Sequence, residues 1–297
     1  MIISASRRTD IPAFYSEWLV NRLREGFALV RNPMNASQLR RVELTPESVD
    51  GFVFWTKNAA PMLPKLDMLD AFPYYFQYTI TAYDTDIECG LPSKRDVVLP
   101  AFRELAATVG AERVVWRYDP ILFTRRYDFE YHIRAFTRLA DLLAGSTRRC
   151  VISFVIPYKS LAGSFRAAGI EVPQGDTRLR LVEKLLQIAA ERGITLCACC
   201  ESPELYALGV SPTACVDATL LGEIAGKTLN VKRDKNPRNG CNCAASVDIG
   251  AYNTCLNGCA YCYANHGERR GAANSAAHDP ESPLLVGAVG DGEAVRR

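Results

Sequence analysis

Histidine and methionine are scarce in this chain, which narrows the kinds of centre that it can build. Only 3 histidines and 4 methionines occur among the 297 residues. His132, His266 and His278 show no spacing typical of metal ligands or of a catalytic pair, and we expect His132 to lie on a helix surface. The sequence therefore predicts no histidine-based site.

Long apolar runs are also absent, as is an excess of either charge. No run approaches the roughly 20 apolar residues that a membrane-spanning helix needs. The N-terminus lacks the basic and apolar regions of a signal peptide. The 35 basic and 33 acidic residues leave a net charge of +2, which gives no electrostatic basis for binding a membrane or nucleic acid. We expect a cytoplasmic chain with neither partner.

Cysteine, by contrast, is abundant, with 11 residues. In a chain expected in the cytoplasm, this number favours metal binding or redox chemistry over disulfide bonds. Cys89, Cys150 and Cys215 are interpreted as isolated packing thiols. The other cysteines are concentrated at the end of one predicted strand and in a short C-terminal segment, and in chain order they are Cys197, Cys199, Cys200, Cys241, Cys243, Cys255, Cys259 and Cys262.

Apolar strand-like segments alternate with helical segments along most of the chain. Phe27–Val30, Phe52–Trp55 and Cys150–Val155 are typical strands, and Phe129–Leu143 is a typical amphipathic helix. This alternation indicates βαβ units and a parallel sheet. No GxGxxG follows a strand, which argues against a Rossmann dinucleotide site. The pattern predicts an α/β fold with a full or partial TIM-type (β/α) barrel.

The composition changes towards the C-terminus. We assign residues 1–225 to the barrel and residues 226–265 to a cysteine-rich metal-cluster segment folded over the barrel mouth. Residues 266–297 are rich in Gly, Ala and charged side chains, and we interpret them as a flexible tail in which Pro283–Val286 offers a docking point.

Charged side chains follow several predicted strands. Loops at the carboxyl ends of strands build the active site in (β/α) barrels, and unpaired charges are costly to bury. We therefore interpret these side chains as a pocket for a small anionic substrate. The candidate catalytic residues are Arg8, Asp10, Lys57, Arg117, Asp119 and Glu201. The alternative for each Arg–Asp pair is a structural ion pair. Lys57 either binds an anion or, if desolvated, serves as a Schiff-base or general-base lysine.

Cys255, Cys259 and Cys262 form a CxxxCxxC loop with Gly258 in its turn. Three thiolates can ligate three irons of a [4Fe–4S] cluster and leave the fourth iron open to a substrate or cofactor. Tetrahedral zinc is the alternative, since zinc also takes closely spaced thiolates.

Two roles are open for Cys241 and Cys243. One of them could supply a fourth ligand to the loop cluster, or both could serve a second metal centre with Cys199 or Cys200. The alternative for the three strand-end cysteines is simple packing in a strand.

The loop resembles the motif of the radical S-adenosylmethionine (SAM) superfamily, CxxxCxΦC with an aromatic Φ, which here is Tyr261. The resemblance implies that the loop cysteines hold the cluster and that SAM binds the open iron with Tyr261 near its adenine. It also implies that reductive cleavage of SAM gives a radical that abstracts hydrogen from the substrate. An electron donor similar to flavodoxin or ferredoxin is then needed.

The superfamily keeps its motif after the first strand, whereas here Ser6–Asp10 follows that strand. Ser6 and Arg7, or else Glu201, would then replace the superfamily's usual SAM-binding residues. We predict that the cysteine loop lies over the strand ends, beside Ser6–Asp10.

The chain as a whole resembles the DUF1848 family of bacterial proteins, whose C-terminal cysteines are similar to those of radical SAM enzymes. The resemblance extends over nearly the whole chain and implies a cluster without naming a substrate. The phrases that carry it are Ser4–Tyr15, Val30–Pro33, Phe54–Asn58, Val115–Pro120 and the C-terminal CxC and CxxxCxYCYA.

The leading hypothesis is therefore an iron–sulfur enzyme of radical SAM type. Two alternatives stay open. One is a binding or repair protein whose cysteines hold a structural zinc or cluster. The other is a barrel hydrolase or lyase that uses the strand-end residues and carries a sensory cluster.

Overall fold

The computed structural model describes residues 1–235, 240–265, 268–290 and 293–296. The strands, in chain order, are β1 (Ile2–Ala5), β2 (Phe27–Asn32), β3 (Asn35–Glu43), β4 (Gly51–Thr56), β5 (Tyr74–Thr79), β6 (Val114–Ile121), β7 (Arg149–Phe154), β8 (Thr195–Ala198), β9 (Ser211–Pro212), β10 (Ser246–Asp248) and β11 (Ala294–Arg296).

The helices of this structure connect most of these strands. They are α1 (Ile11–Phe14), α2 (Ser16–Glu25), α3 (Leu99–Val109), α4 (Phe129–Leu143), α5 (Ala162–Ala168), α6 (Gly175–Ala190), α7 (Pro203–Ala207), α8 (Ala218–Ala225) and α9 (Glu268–Ala276). Short 3₁₀ segments cover Leu63–Leu69, Ala111–Arg113 and Lys159–Leu161, and Lys94–Val98 forms a π-helical turn. Over the described ranges, no helix is long and apolar enough to cross a membrane.

Eight strands form one parallel sheet in the order β10–β1–β4–β5–β6–β7–β8–β9. Helix α3 connects β5 to β6, α4 connects β6 to β7, and α6 lies between β7 and β8. Parallel neighbours need such crossover connections. The predicted α/β fold with a parallel sheet is confirmed.

Strand β2 does not belong to this sheet, which differs from the predicted alternation. It pairs antiparallel with β3, and β11 pairs with β3 on the other side, so that the three strands form a separate small sheet. Only Pro33 and Met34 separate β2 from β3, and a two-residue connection permits a hairpin but no crossover.

The two faces of the parallel sheet have different coverings. One face packs against the connecting helices, for example through Phe102 of α3, Phe136 of α4 and Leu185 of α6. The other face packs against α8 and against cysteines of the 226–265 segment. Alternate strand residues point to this second face, as period-two geometry requires, and they are Ile2, Val53, Tyr75, Val115, Val151 and Cys197.

The cysteine-rich segment is part of this architecture. Its strand β10 pairs with β1, and the backbone N–H of Ala244 donates to the carbonyl oxygen of Val216 at 2.9 Å. Because Val216 follows β9 and Ala244 precedes β10, this bond joins the chain at the two edges of the sheet.

The described part of the predicted tail packs on the body. The indole N–H of Trp18 donates to the carbonyl of Ser282 at 2.9 Å, and the N–H of Leu29 donates to the carbonyl of Pro283 at 2.8 Å. Leu284 and Leu285 are buried, so the expected docking point does bind α2 and β2. His266, at the start of the tail, lies outside the described residues.

The expectation that His132 lies on a helix surface is wrong. His132 belongs to α4, but its side chain is fully buried and its ring stacks on the ring of Phe123. Its Nδ1 accepts from the Tyr118 hydroxyl at 2.8 Å and its Nε2 donates to the Leu122 carbonyl at 2.9 Å. With both nitrogens satisfied the neutral ring can be buried, and burial lowers the pKa of His132 to about 4.

Candidate functional site

The cysteine loop lies beside the loop that follows β1, as predicted. The Tyr263 hydroxyl donates to the carbonyl of Arg7 at 3.2 Å, and the Asn257 side-chain amide donates to the carboxylate of Asp10 at 3.0 Å. The Tyr15 hydroxyl donates to the carbonyl of Thr254 at 2.5 Å. The carboxyl end of β1 therefore meets the loop directly.

A second contact fixes the loop from the other side. The N–H of Gly90 donates to the carbonyl of Asn257 at 3.1 Å, and the N–H of Ala260 donates to the carbonyl of Ile87 at 2.8 Å. Between them Gly258 has φ +61, and a Cβ added there would lie 2.3 Å from the Cys89 sulfur. The glycine in the turn is therefore required both for its left-handed backbone and for space.

Glu88 connects this loop to the strand ends. Its side chain is completely buried and binds the ammonium groups of Lys57 at 2.7 Å and Lys94 at 2.5 Å. It also accepts from the hydroxyls of Thr81 at 2.7 Å and of Tyr261. No sequence pattern marks Glu88 or Lys94 as a site residue, because neither directly follows a strand.

The contacts among Glu88, Lys57 and Lys94 determine the protonation of the buried carboxylate and of Lys57. Burial opposes the charge on Glu88, but Lys57 and Lys94 outweigh it and lower the pKa of Glu88 to about 2. Burial alone would lower the pKa of Lys57, yet Glu88 and Cys259 raise it above its ordinary value. A charged Lys57 fits an ion pair or an anion-binding group, and it lacks the neutral amine that a Schiff-base or general-base role needs.

A cavity of about 420 Å³ opens between the cysteine loop and the strand ends. Cysteines from two regions of the structure line its wall. Cys262 belongs to the cysteine loop, and the others, on the buried face of the sheet, are Cys199, Cys215, Cys241 and Cys243. Six predicted site residues that are not cysteines also line it, namely Ser6, Arg7, Lys57, Arg117, Asp119 and Tyr261.

Arg117 and Asp119 form the ion pair that the sequence analysis left as an alternative. The Arg117 guanidinium is buried and donates to the Asp119 carboxylate at 3.0 Å and to the Gln77 amide oxygen at 3.1 Å. It also reaches the sulfur of Cys215 at 3.5 Å. Asp119 in addition accepts from the Ser153 hydroxyl. The pair is satisfied within the protein and still faces the cavity.

Asp10 supports the site from outside the cavity wall. Its carboxylate accepts from the N–H of Ala13 at 3.1 Å, which caps α1, and from the N–H of Lys57 at 2.8 Å. Together with the bond from Asn257, these contacts join three segments. Burial raises the pKa of Asp10, although the hydrogen bonds oppose the rise. The geometry assigns Asp10 a positioning role.

Arg8 and Glu201 are not among the residues that line the cavity. Arg8 lies over the ring of Tyr252 and 3.9 Å from the carboxylate of Asp248. Glu201 pairs with Arg178 at 2.6 Å and accepts from a backbone N–H of β7.

Asp248 at the end of β10 is a further residue that the sequence analysis missed. It accepts from the hydroxyls of Ser4 at 2.9 Å and Ser6 at 2.6 Å, and from the N–H groups of Arg7 at 2.8 Å and Gly250 at 3.0 Å. One carboxylate thereby fixes the loop after β1, which lines the cavity. Nothing in the sequence marks this aspartate, because Ser4, Ser6 and Arg7 lie more than 240 residues away from it in the chain.

Five cysteines come together on the buried face of the sheet. The sulfurs of Cys199, Cys215 and Cys243 all lie within 4.8 Å of one another, and the same holds for Cys199, Cys200 and Cys241. Within the described part of the chain, no group this compact includes a cysteine of the loop. These clustered thiols could hold a metal ion.

The interpretation of Cys215 as an isolated packing thiol is therefore wrong. The chain after β9 turns back across the sheet, where the carbonyl of Cys215 accepts from the Tyr75 hydroxyl at 2.8 Å and from the Gln77 amide at 3.0 Å. Those bonds bring Cys215 to the other cysteines, and no sequence spacing reveals this.

A family model described as domain of unknown function (DUF1848) matches residues 2–264. The chain belongs to the DUF1848 family. The matched region contains both the loop after β1 and the cysteine loop, and it ends before α9. Comparison with the curated proteins gives no match, and comparison with the solved structures gives none.

The loop of this DUF1848 chain carries three thiols of the type that ligate iron–sulfur clusters. Burial raises the pKa of Cys255 to about 12, and it also raises the pKa of Cys259 and of Cys262 above the ordinary thiol value. Buried thiols of this kind become thiolates when a cation is bound. Three soft donors on one loop, one of them in the cavity wall, fit a cluster with a position open to the cavity.

Proposed function

We propose that this protein is an iron–sulfur enzyme of radical SAM type that acts on a small anionic substrate. Cys255, Cys259 and Cys262 hold a [4Fe–4S] cluster in this proposal. One observation carries it: the three-cysteine loop packs against the loop after β1, with Cys262 and Tyr261 in the wall of a shared cavity.

Different residues of the cavity would bind the cofactor and the substrate. Ser6 and Arg7 line the wall beside the loop, where Arg7, which donates to Ser246 at 3.3 Å, suits the carboxylate of an amino-acid cofactor such as SAM. The ring of Tyr261 is fixed through its hydroxyl by Glu88 and offers a flat apolar surface to an adenine. Lys57 adds positive charge for an anionic substrate.

When bound, the cluster and SAM supply the hard chemistry, in which one electron from a flavodoxin- or ferredoxin-like donor cleaves the sulfonium. The protein contributes by other means. Arg117 and Asp119 are satisfied by each other, so they are available to orient a substrate without carrying an unpaired charge. The buried wall limits access of water to a reactive species.

The finer fold assignment belongs to the same proposal. A TIM-type barrel is supported by eight parallel strands in series and by the Val216–Ala244 hydrogen bond that links the chain at the two edge strands. In such a barrel the cavity lies at the carboxyl ends of the strands, where active sites are found.

The test is anaerobic reconstitution with iron and sulfide, followed by electron paramagnetic resonance of the reduced protein with and without SAM. We expect a cluster signal that changes when SAM is added, because SAM binds the open iron. Cys259→Ser should abolish the signal, and Cys150→Ser, at a buried thiol of β7 outside both cysteine groups, should retain it. A signal that SAM leaves unchanged would contradict the proposal.

One observation favours a second candidate, a protein whose cysteines hold a structural metal. The compact thiol groups on the buried face of the sheet contain none of the loop cysteines. Colourless protein that holds zinc and cannot be loaded with iron would support this candidate against the first. The hydrolase or lyase alternative has no comparable support, because Lys57 is charged and Asp119 is paired.

A further inference from the structure

The five buried cysteines come from three separate segments of the chain. Cys199 and Cys200 follow β8, Cys215 follows β9, and Cys241 and Cys243 precede β10. The sulfurs of Cys199 and Cys200 are 3.5 Å apart. Cys199 belongs to both compact groups, so it lies at the centre of the set.

The spacing of the sulfurs fits one metal ion. A tetrahedral ion with metal–sulfur bonds of about 2.3 Å holds its thiolates roughly 3.8 Å apart, and each compact group lies within 4.8 Å. In a cubane each thiolate binds a different iron, so the distance between irons separates the thiolates further. Each compact group supplies three thiolates to one ion, and the fourth thiolate of a closed tetrahedral site would come from the other group.

The surroundings of these sulfurs suit thiolates. The N–H of Val216 points to the sulfur of Cys243 at 3.5 Å, and the N–H of Cys243 points to the sulfur of Cys241 at 3.4 Å. The guanidinium of Arg117 reaches the sulfur of Cys215 at 3.5 Å. Such donors are the partners by which proteins orient thiolate ligands and offset their negative charge, and simple packing of neutral thiols would not need them.

We propose that Cys199, Cys200, Cys215, Cys241 and Cys243 form a second metal centre that binds a single soft divalent ion, with zinc preferred by the tetrahedral thiolate set. Four of them also line the cavity, so the ion would lie in the wall of the cavity that Cys262 of the loop also lines. It joins the chain beyond β8 and β9 to the chain before β10, the same connection that the Val216–Ala244 bond makes.

The first measurement is the elemental content of purified protein and of three variants. We expect about one zinc per chain in the wild type, following the four-thiolate site. Cys199→Ser should lose this zinc, because Cys199 belongs to both compact groups. Cys259→Ser and Cys150→Ser should retain it, since neither residue is in the set.

The second measurement uses Co²⁺ as a spectroscopic probe of the metal-free protein. Thiolate ligation should give intense thiolate-to-cobalt absorption in the wild type, in Cys259→Ser and in Cys150→Ser. If Cys199→Ser does not fold, Cys243→Ser serves in its place. It should fold yet lose the absorption or shift it, because one sulfur is missing from one compact group.

Distinct outcomes separate this proposal from the proposed function. Zinc that is lost in Cys199→Ser and retained in Cys259→Ser supports the second centre, whether or not the loop can be loaded with a cluster. Protein that keeps this zinc but takes up no iron and sulfide on anaerobic reconstitution contradicts the loop cluster alone. Zinc and cobalt binding that Cys199→Ser and Cys243→Ser leave unchanged would overturn the second centre. Iron and sulfide that persist in Cys259→Ser would overturn the assignment of a single ion.

Discussion

Replacing Glu88 with glutamine tests whether the site depends on one buried carboxylate. The side chain of Glu88 is fully buried and binds Lys57, Lys94, Thr81 and Tyr261. Glutamine keeps the shape and removes the charge, so that two ammonium groups are left near each other without their shared counterion.

The expected loss of unfolding free energy follows from the pKa of Glu88, which the two lysines lower from 4.5 to about 2. At 1.36 kcal/mol per unit this corresponds to about 3 kcal/mol of unfolding free energy at neutral pH. Removing one partner of a buried ion pair typically lowers the unfolding free energy of a protein by about 3–5 kcal/mol. The two values agree, and we expect Glu88→Gln to lower the unfolding free energy by about 3–5 kcal/mol at pH 7.

The pH dependence has a definite sign. The pKa of Glu88 is lower in the folded protein than in the unfolded chain, so its stabilisation is complete well above pH 4.5 and is lost as the pH falls towards 2. At pH 3 the wild type should already have lost roughly 2 kcal/mol of this contribution. The difference between wild type and Glu88→Gln should shrink accordingly.

The assay is urea unfolding at pH 7 and pH 3, since urea adds no salt that would screen the charges. Glu183→Gln on the exposed side of α6 is the matched control and should stay within about 0.5 kcal/mol of the wild type. Glu88→Gln should also take up less iron on reconstitution, because Tyr261 loses its charged acceptor. A Glu88→Gln variant as stable as the control, or a difference equal at both pH values, would refute the reasoning.

Three further predictions concern the loop, the core and the tail. Gly258→Ala should impair both folding and cluster loading, because its Cβ would meet the sulfur of Cys89 at 2.3 Å, whereas Gly169→Ala, with φ +62 and open space, should cost only about 1–2 kcal/mol. Burial lowers the pKa of His132 to about 4, so as the pH falls this histidine is protonated in the unfolded chain before it is protonated in the folded protein. The free energy of unfolding should therefore fall by about 3 kcal/mol between pH 7 and pH 4. Urea unfolding of His132→Gln should not show this loss. Leu285→Ala should lower the unfolding free energy by about 2–5 kcal/mol, because the side chain is buried.

Each of these has an outcome that would contradict it. Equal unfolding free energies and equal iron content for the two glycine variants would show that the contact with Cys89 does not matter. A pH profile that His132→Gln leaves unchanged would assign the acid sensitivity to other groups. Leu285→Ala indistinguishable from the exposed control Val289→Ala would mean that the tail adds nothing to stability.

The predicted elements that proved most accurate rest on long periodic patterns. The helix predicted over Phe129–Leu143 is α4 to the residue, and Cys150–Val155 overlaps β7. Phe27–Val30 is a strand as predicted but joins another sheet, since a two-residue turn decides its partner. A period of two shows that a segment is a strand, and the length of the connection determines which strand it pairs with.

The candidate site was predictable to the extent that its residues follow strands. Ser6, Arg7, Lys57, Arg117 and Asp119 line the cavity as expected, because parallel strands bring their carboxyl ends to one edge. Side-chain direction was not predictable in the same way. Arg8, Asp10 and Glu201 follow strands too, yet none of them is among the residues that line the cavity.

The cysteine loop shows which features follow from the sequence and which ones depend on the tertiary structure. By itself, the sequence determined the three thiols, the aromatic Tyr261 and the glycine turn, because CxxxCxxC spacing is local and Gly258 provides the left-handed backbone. Only the tertiary structure decided what surrounds them. Glu88 meets Tyr261 across more than 170 residues, and Cys215 joins Cys199 and Cys243 only because the chain folds back over the sheet. Contacts between distant segments depend on how strands pair and which face they cover, and no local spacing encodes them.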